Sequence, residues 1–196
     1  MRPVLVIMIK LPRVGRVKTR LGGDIGLVQA TWWFRHQTQR LLRTLGCDPR
    51  WDTVLAVAPD AEGLATPIWG NHLARMPQGG GDLGARMGRV FQNLRAGPTI
   101  IIGADIPNIT PALIADGFHK LGNNHAVLGP APDGGYWAIG LRQGAKPPPQ
   151  HLFENVRWST EHAMADTVAT MPDASIAYLP ELQDIDRADD LLVLRH

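Results

Sequence analysis

The sequence of 196 residues predicts an α/β domain built on a parallel sheet covered on both faces. Short, almost wholly apolar runs at 4–9, 53–58, 99–103 and 126–129 have the composition of strands covered on both sides. Segments with apolar residues at helical spacing lie between them. Glycines, prolines and charges cluster just after the apolar runs, at the edge where open α/β sheets bind ligands.

Taken in order, the first strand (4–9) runs into Lys10-Leu11-Pro12-Arg13-Val14-Gly15-Arg16-Val17-Lys18-Thr19-Arg20-Leu21. The first twenty residues hold six cations (Arg2, Lys10, Arg13, Arg16, Lys18, Arg20) and no carboxylate. A basic loop leaving a strand is where backbone N–H groups and Lys or Arg heads can hold phosphates. It is not a Walker A loop, because Val17 stands where glycine must precede the lysine.

A helix is expected over 26–45, with Leu27, Ala30, Trp33 or Phe34, Thr38, Leu41, Leu42 and Leu45 on one face and Gly46 as its stop. Trp32 and Trp33 read as core packing, and Cys47 as a small apolar residue near the helix end. A strand at 53–58 ends at Pro59-Asp60, and a weak one follows at 73–76. Gly79-Gly80-Gly81-Asp82 precedes a helix reaching residue 96, with Asp82 as its N-cap. The strand at 99–103 delivers Asp105 to the ligand edge, while Asn108 or Thr110 caps the helix beyond it.

Strands at 126–129 and 137–141 flank Asp133-Gly134-Gly135, a hairpin-like turn. Residues 143–150 read as a surface connection. Ser159 is expected to cap a helix ending near 170. A strand at 175–179 and a short helix at 186–194 close the chain.

The composition, 44% hydrophobic and 19% charged, is that of an ordinary soluble domain. A net charge of +2 does not indicate a nucleic-acid surface, although the N-terminus is basic and Glu181, Asp184, Asp186, Asp189 and Asp190 make the C-terminus acidic. One cysteine excludes an internal disulfide. The first apolar run is too short for a signal peptide, and none approaches the roughly 20 residues of a membrane span. The seven histidines have no metal-ligand spacing. A cytoplasmic location follows as the expectation.

Several segments together resemble the transferase family known as domain of unknown function 2064, in the nucleotide-diphospho-sugar transferase (GT-A) superfamily. They are residues 12–21, Gly81-Asp82-Leu83-Gly84-Ala85-Arg86-Met87, Gly103-Ala104-Asp105-Ile106-Pro107, residues 129–136, Trp158-Ser159-Thr160 and residues 179–186. A similar pattern occurs in guanylyltransferases that activate phospholactate and, more distantly, in molybdenum-cofactor guanylyltransferases. One departure is Arg187, where family members commonly carry threonine.

The resemblance implies a single GT-A domain over 1–196, a Rossmann-like mixed, mostly parallel sheet with helices on both faces and a nucleotide across its C-terminal edge. Asp105 would match the superfamily's metal aspartate, and Asp184 or Asp186 would add a second ligand for Mg2+ (or Mn2+). Lys18 and Arg20, with Lys10, would face the phosphates; Gly80, Gly81, Asp82 and Arg86 would lie near the base and ribose. Asp133, Gly134, Gly135 and Tyr136 would border the acceptor. The chemistry expected is transfer of a nucleotidyl group from an NTP to a small phosphorylated acceptor, with Lys18, Arg20 and Asp105 as its main groups. Glycosyl transfer from a nucleotide sugar, with Asp133 as base, is the alternative, and a non-catalytic nucleotide-binding module a second. The expected partners are a nucleotide or nucleotide sugar and a small acceptor, with no nucleic acid or membrane; homo-oligomerisation stays open.

Overall fold

Val4–Lys10 forms β1 at the middle of the sheet, paired in parallel with β2 (Asp52–Ala58) on one side and β4 (Thr99–Gly103) on the other. The computed structural model describes residues 2–94, 97–142, 149 and 151–193. The remaining elements are α1 (Thr19–Ile25), α2 (Leu27–Leu45), α3 (Asp60–Ala65), β3 (Ala74–Pro77), α4 (Leu83–Asn93), α5 (Pro111–Leu121), β5 (Ala126–Pro130), β6 (Tyr136–Leu141), α6 (Ala163–Ala169), β7 (Ile176–Tyr178) and α7 (Asp190–Val193). The seven strands lie in the order β3-β2-β1-β4-β6-β5-β7. Only β6 runs against the rest, pairing antiparallel with both β4 and β5. The loops after β1, β3, β4, β5 and β7 therefore leave the same edge.

Alternation along β1 shows why both faces are covered. Leu5, Ile7 and Ile9 join a core with Leu55, Val57, Ile100 and Ile102, closed by Phe34, Leu41 and Leu45 of α2 and Ile114 and Leu121 of α5. Val6 turns to the other face, with Ala56 and Ile101, beneath Met87, Val90 and Phe91 of α4. Strands buried on two sides must be apolar throughout, which is why these runs were readable.

Some expectations need correction. The first long helix begins at Leu27, and α1 precedes it, within the stretch read as loop. Gly22 and Gly23 look like helix breakers, yet Gly22 is buried where a Cβ would come within 2.7 Å of the Leu27 side chain. The helix α3 was likewise not anticipated. Trp32 is 57% exposed, stacked on His36, because the buried face of α2 runs through Ala30, Phe34, Gln37, Thr38, Leu41 and Leu45; Trp33 packs partly against the core. Cys47 is exposed rather than packed.

Ser159 does not cap a helix. It has a left-handed backbone (φ 61), and α6 starts at Ala163 behind His162, without a side-chain cap. Arg157 forks onto Asp166 through Nε and Nη2 (2.8 and 2.9 Å), folding residues 157–162 back along the helix. By contrast, Asp82 and Thr110 cap α4 and α5 as expected, accepting from the N–H groups of Ala85 and Leu113. The connection expected at 143–150 lies, apart from Pro149, outside the described residues, as do residues 95 and 96 and the last residue of the closing helix, 194. No helix among the described residues is long and apolar enough to cross a membrane.

Candidate functional site

The basic loop after β1 ends at Lys18, which takes a left-handed conformation (φ 47, ψ 49) at the start of α1. Its carbonyl accepts the Gly22 N–H at 2.8 Å, fixing the backbone from which the side chain extends. Asp105 stands two residues beyond β4. Its Oδ2 lies 2.7 Å from Lys18 Nζ, so two groups separated in sequence by β2, β3 and β4 share one spot.

Asp184 and Asp186 arrive from the opposite end of the chain. Ile185 between them is 2% exposed, packed with Leu21 of α1 and Ala30 of α2. Burying that one side chain turns both flanking carboxylates towards the basic loop. Asp186 Oδ1 accepts from Lys18 Nζ at 2.9 Å, its Oδ2 accepts from Arg20 Nη1 at 2.9 Å, and Asp184 Oδ2 lies 3.7 Å from Lys18 Nζ. Arg187 points elsewhere, to Asp24 at 3.4 Å, while Asp190 Oδ2 accepts the N–H groups of Asp186 and Arg187. The threonine-to-arginine departure thus leaves Asp186 facing the cations. We expect Ile185→Ala to lower stability by about 2–4 kcal/mol, as deletion of a fully buried Ile does. Thermal unfolding checks it; a stability within about 0.5 kcal/mol of the wild type would contradict the packing of Ile185 against Leu21 and Ala30.

The acids differ electrostatically. Burial pushes the Asp184 carboxyl up to about 6, Lys18 opposing and the charges of Asp186, Asp105 and Asp133 adding to the rise. Asp186 feels burial too, but the hydrogen bonds and charges of Lys18 and Arg20 hold it below the usual carboxylate range. Lys18 is held above the usual lysine range: burial disfavours its charge, and Asp105 and Asp186 outweigh that.

These groups line a cleft of about 690 Å³ at the C-terminal edge of the sheet. Its size falls within the roughly 300–1,000 Å³ of small-molecule binding pockets. Lys10, Arg16 and Arg20 line it from the basic loop. Gly81, Asp82 and Arg86 line it from the glycine-rich turn, and Asp133, Gly135 and Tyr136 from the β5–β6 turn. Two expected residues, Gly80 and Gly134, do not face the cleft.

The glycine-rich turn is braced from α4. Arg86 Nε donates to the Gly81 carbonyl at 3.0 Å, and Arg89 donates to the carbonyls of Gln78 and Gly80. Gly81 has φ +95, and a Cβ there would lie 2.8 Å from that of Ala85, so the turn needs glycine. At Gly134 (φ +81) a Cβ would fall 2.1 Å from the Glu161 carbonyl oxygen. That glycine lets the β5–β6 turn lie against residues 157–162, and its role is packing. Gly134→Ala should therefore cost about 2–3 kcal/mol, read as a fall in Tm of about 4–10 °C. A Tm within 1 °C of the wild type would contradict the tight contact.

Asp133 Oδ1 accepts the Gly135 N–H at 2.9 Å. Tyr136 donates to or accepts from Thr167 Oγ1 at 3.3 Å, and burial holds its phenol well above the usual range. Reasoning from sequence had not placed Gln78, Trp158, Ser159 or Thr160 in the site, yet all four line the cleft. Gln78 is buried, with Nε2 donating to the carbonyls of Ile9 (3.2 Å) and Ala56 (2.7 Å), so it joins the ends of β1 and β2 under the cleft. Its position immediately before three glycines was the available signal.

Among the described residues, no group of three or more His, Cys, Asp or Glu is arranged to hold a metal ion as it stands. The point on which Asp105, Asp184 and Asp186 converge is held instead by the Lys18 ammonium. The donor chemistry nevertheless fits a hard divalent ion, since all three are carboxylates and such ions take oxygen ligands.

A mostly parallel seven-stranded sheet with its cleft at the C-terminal edge defines an α/β domain of the nucleotide-diphospho-sugar transferase-like fold. Residues 41–160 match the family described as "Uncharacterized protein conserved in bacteria (DUF2064)", and the chain belongs to that family. It is 30% identical to a candidate nucleotide-diphospho-sugar transferase from Desulfovibrio desulfuricans G20 whose crystal structure superposes with a TM-score of 0.90, over 99% of this chain and 87% of that one. Two remoter likenesses concern the fold alone. CMP:2-keto-3-deoxy-manno-octonic acid synthetase, complexed with CTP, matches at TM-score 0.62 and 10% identity, over 100% of this chain and 97% of that one. Rv0371c from Mycobacterium tuberculosis H37Rv, complexed with manganese, matches at 0.53 and 16%, over 99% and 98%. No protein of curated function matches the sequence.

Proposed function

We propose that this protein is a divalent-metal-dependent nucleotidyltransferase acting on an NTP and a small phosphorylated acceptor. The observation that carries the reading is the meeting of Lys18 and Arg20 with Asp105, Asp184 and Asp186 in one cleft. Cations for a polyphosphate and hard carboxylates for its counter-ion stand within one ligand's reach. The reading is compatible with two structures of the same fold, a CMP:2-keto-3-deoxy-manno-octonic acid synthetase complexed with CTP and a protein complexed with manganese.

In this reading an acceptor phosphate oxygen attacks the α-phosphorus of the NTP. The new P–O bond forms as the bond from α-phosphorus to the bridging oxygen breaks, and pyrophosphate leaves with the electron pair. The acceptor oxygen is already anionic, so no residue need remove a proton. Lys18 and Arg20 neutralise charge gathering on the leaving pyrophosphate, and Lys10 and Arg16 extend that field towards solvent. The turn braced by Arg86 and Arg89 receives the nucleoside, and Asp133, Gly135 and Tyr136 border the acceptor. Asp105, Asp184 and Asp186 would hold Mg2+ or Mn2+, which when bound supplies further charge neutralisation on phosphate oxygens. Holding both reactants in this orientation is the main catalytic contribution expected of the chain.

Glycosyl transfer is the second reading, favoured by the description of the relative at 30% identity. Thermal-shift screening of the four NTPs and common NDP-sugars, with and without Mg2+, tests both, because a ligand of the native state raises Tm by mass action. Product analysis then separates them. Pyrophosphate release from an NTP supports the first reading, and NDP release from a sugar donor the second. No shift with any nucleotide would remove both.

A further inference from the structure

We propose that Lys18 is the resident counter-ion of the carboxylate cluster, so that a divalent cation enters only as a polyphosphate draws the lysine away. The inference rests on the reading of this cleft as a metal–polyphosphate site, and it concerns how the two ligands depend on each other. The Lys18 side chain is only 6% exposed, and its ammonium lies 2.7 Å from Asp105, 2.9 Å from Asp186 and 3.7 Å from Asp184. Oxygen ligands of Mg2+ sit roughly 2.0–2.1 Å from the ion. An ion on these carboxylates would thus share its place with a positive nitrogen. The two cations exclude one another by space and by charge.

A metal arriving alone must displace the ammonium and leave a side chain that is only 6% exposed without its carboxylate partners. An unpaired charge in such a place is costly. A polyphosphate arriving alone offers the ammonium new oxygens but exposes three carboxylates to one another and to the incoming anion. Together the ligands complete the exchange: the cation takes the carboxylates, and Lys18 passes to the phosphates. The left-handed backbone at Lys18 fixes the root of that side chain, so the exchange calls for rotation of the side chain only. The consequence is counter-intuitive, since removing the lysine from a phosphate-binding loop should tighten metal binding.

The test is calorimetric titration of Mn2+ into the full chain as wild type, Lys18→Met and Lys18→Gln, with and without inorganic tripolyphosphate. Without tripolyphosphate, both variants should bind Mn2+ at least tenfold tighter than the wild type. The variants should also melt lower than the wild type in metal-free buffer, with Mn2+ abolishing most of that difference. In the wild type tripolyphosphate should tighten Mn2+ at least tenfold, and in the variants that gain should shrink severalfold. If Mn2+ binding is unchanged or weaker in both variants while the wild type binds Mn2+ with tripolyphosphate, the counter-ion role is wrong and the metal–polyphosphate reading stands. If no protein binds Mn2+ under any condition, both fall. A variant unfolded without metal should regain its far-UV circular dichroism as Mn2+ is added; failure to do so also counts against the proposal.

Discussion

If the cleft transfers a nucleotidyl group as proposed, Asp105→Asn is expected to slow pyrophosphate release about 100- to 1,000-fold. The substitution keeps the shape of the side chain and removes its charge. It deletes one carboxylate of the cluster and the closest partner of a nearly buried ammonium, at 2.7 Å. Breaking a buried ion pair costs about 3–5 kcal/mol. Asp105 is 31% exposed, which places the loss at the lower end of that range. Every 1.36 kcal/mol in the barrier is a factor of ten, so a loss of about 3–4 kcal/mol borne by the transition state gives the stated slowing. The measurement is initial rate against NTP concentration at several Mn2+ levels. Asp105→Asn should lower kcat and raise the Mn2+ needed for half-maximal rate. A variant within threefold of wild type at all metal levels would mean that Asp105 takes no part.

The reach of sequence reasoning at this site follows from how far apart the participating residues are. The basic loop was legible because its charges are contiguous and follow an apolar run that can only be a buried strand. Asp105 was legible because a carboxylate at the end of Thr99–Gly103 must emerge at the ligand edge of a parallel sheet. Convergence of Asp184 and Asp186 on this spot was legible only through the family resemblance, since physically it depends on Ile185 packing between α1 and α2, a contact spanning most of the chain. The helix α1 itself was hidden behind Gly22-Gly23, which local propensity reads as a break and tertiary packing overrides. Ser159 shows the converse: a local capping signal was overruled by the Arg157–Asp166 fork. Opposite charges at the two chain ends were visible from composition, but not the seating of the Lys18 ammonium among all three carboxylates.

Lys18→Met should slow transfer about 10- to 200-fold, whereas Arg20→Met should slow it only about two- to fivefold. Both cations reach Asp186 at 2.9 Å, so distance does not separate them. Exposure does: the Lys18 side chain is 6% exposed and that of Arg20 is 64% exposed. A charge-assisted hydrogen bond in a site shielded from water contributes about 1.5–3 kcal/mol. An ion pair open to solvent typically contributes about 0.2–1 kcal/mol and weakens with salt. Converted at 1.36 kcal/mol per decade, these figures give the two ranges. On the proposed reading the loss for Lys18→Met should appear in kcat even at saturating metal, because the variant lacks the cation that would neutralise the leaving pyrophosphate. For Arg20→Met the loss should lie mostly in KM and grow smaller as ionic strength rises. Since both side chains share Asp186, the double variant should depart from additivity, and its departure measures their coupling. Equal losses from the two single variants would show that burial does not set the strength of these contacts during turnover.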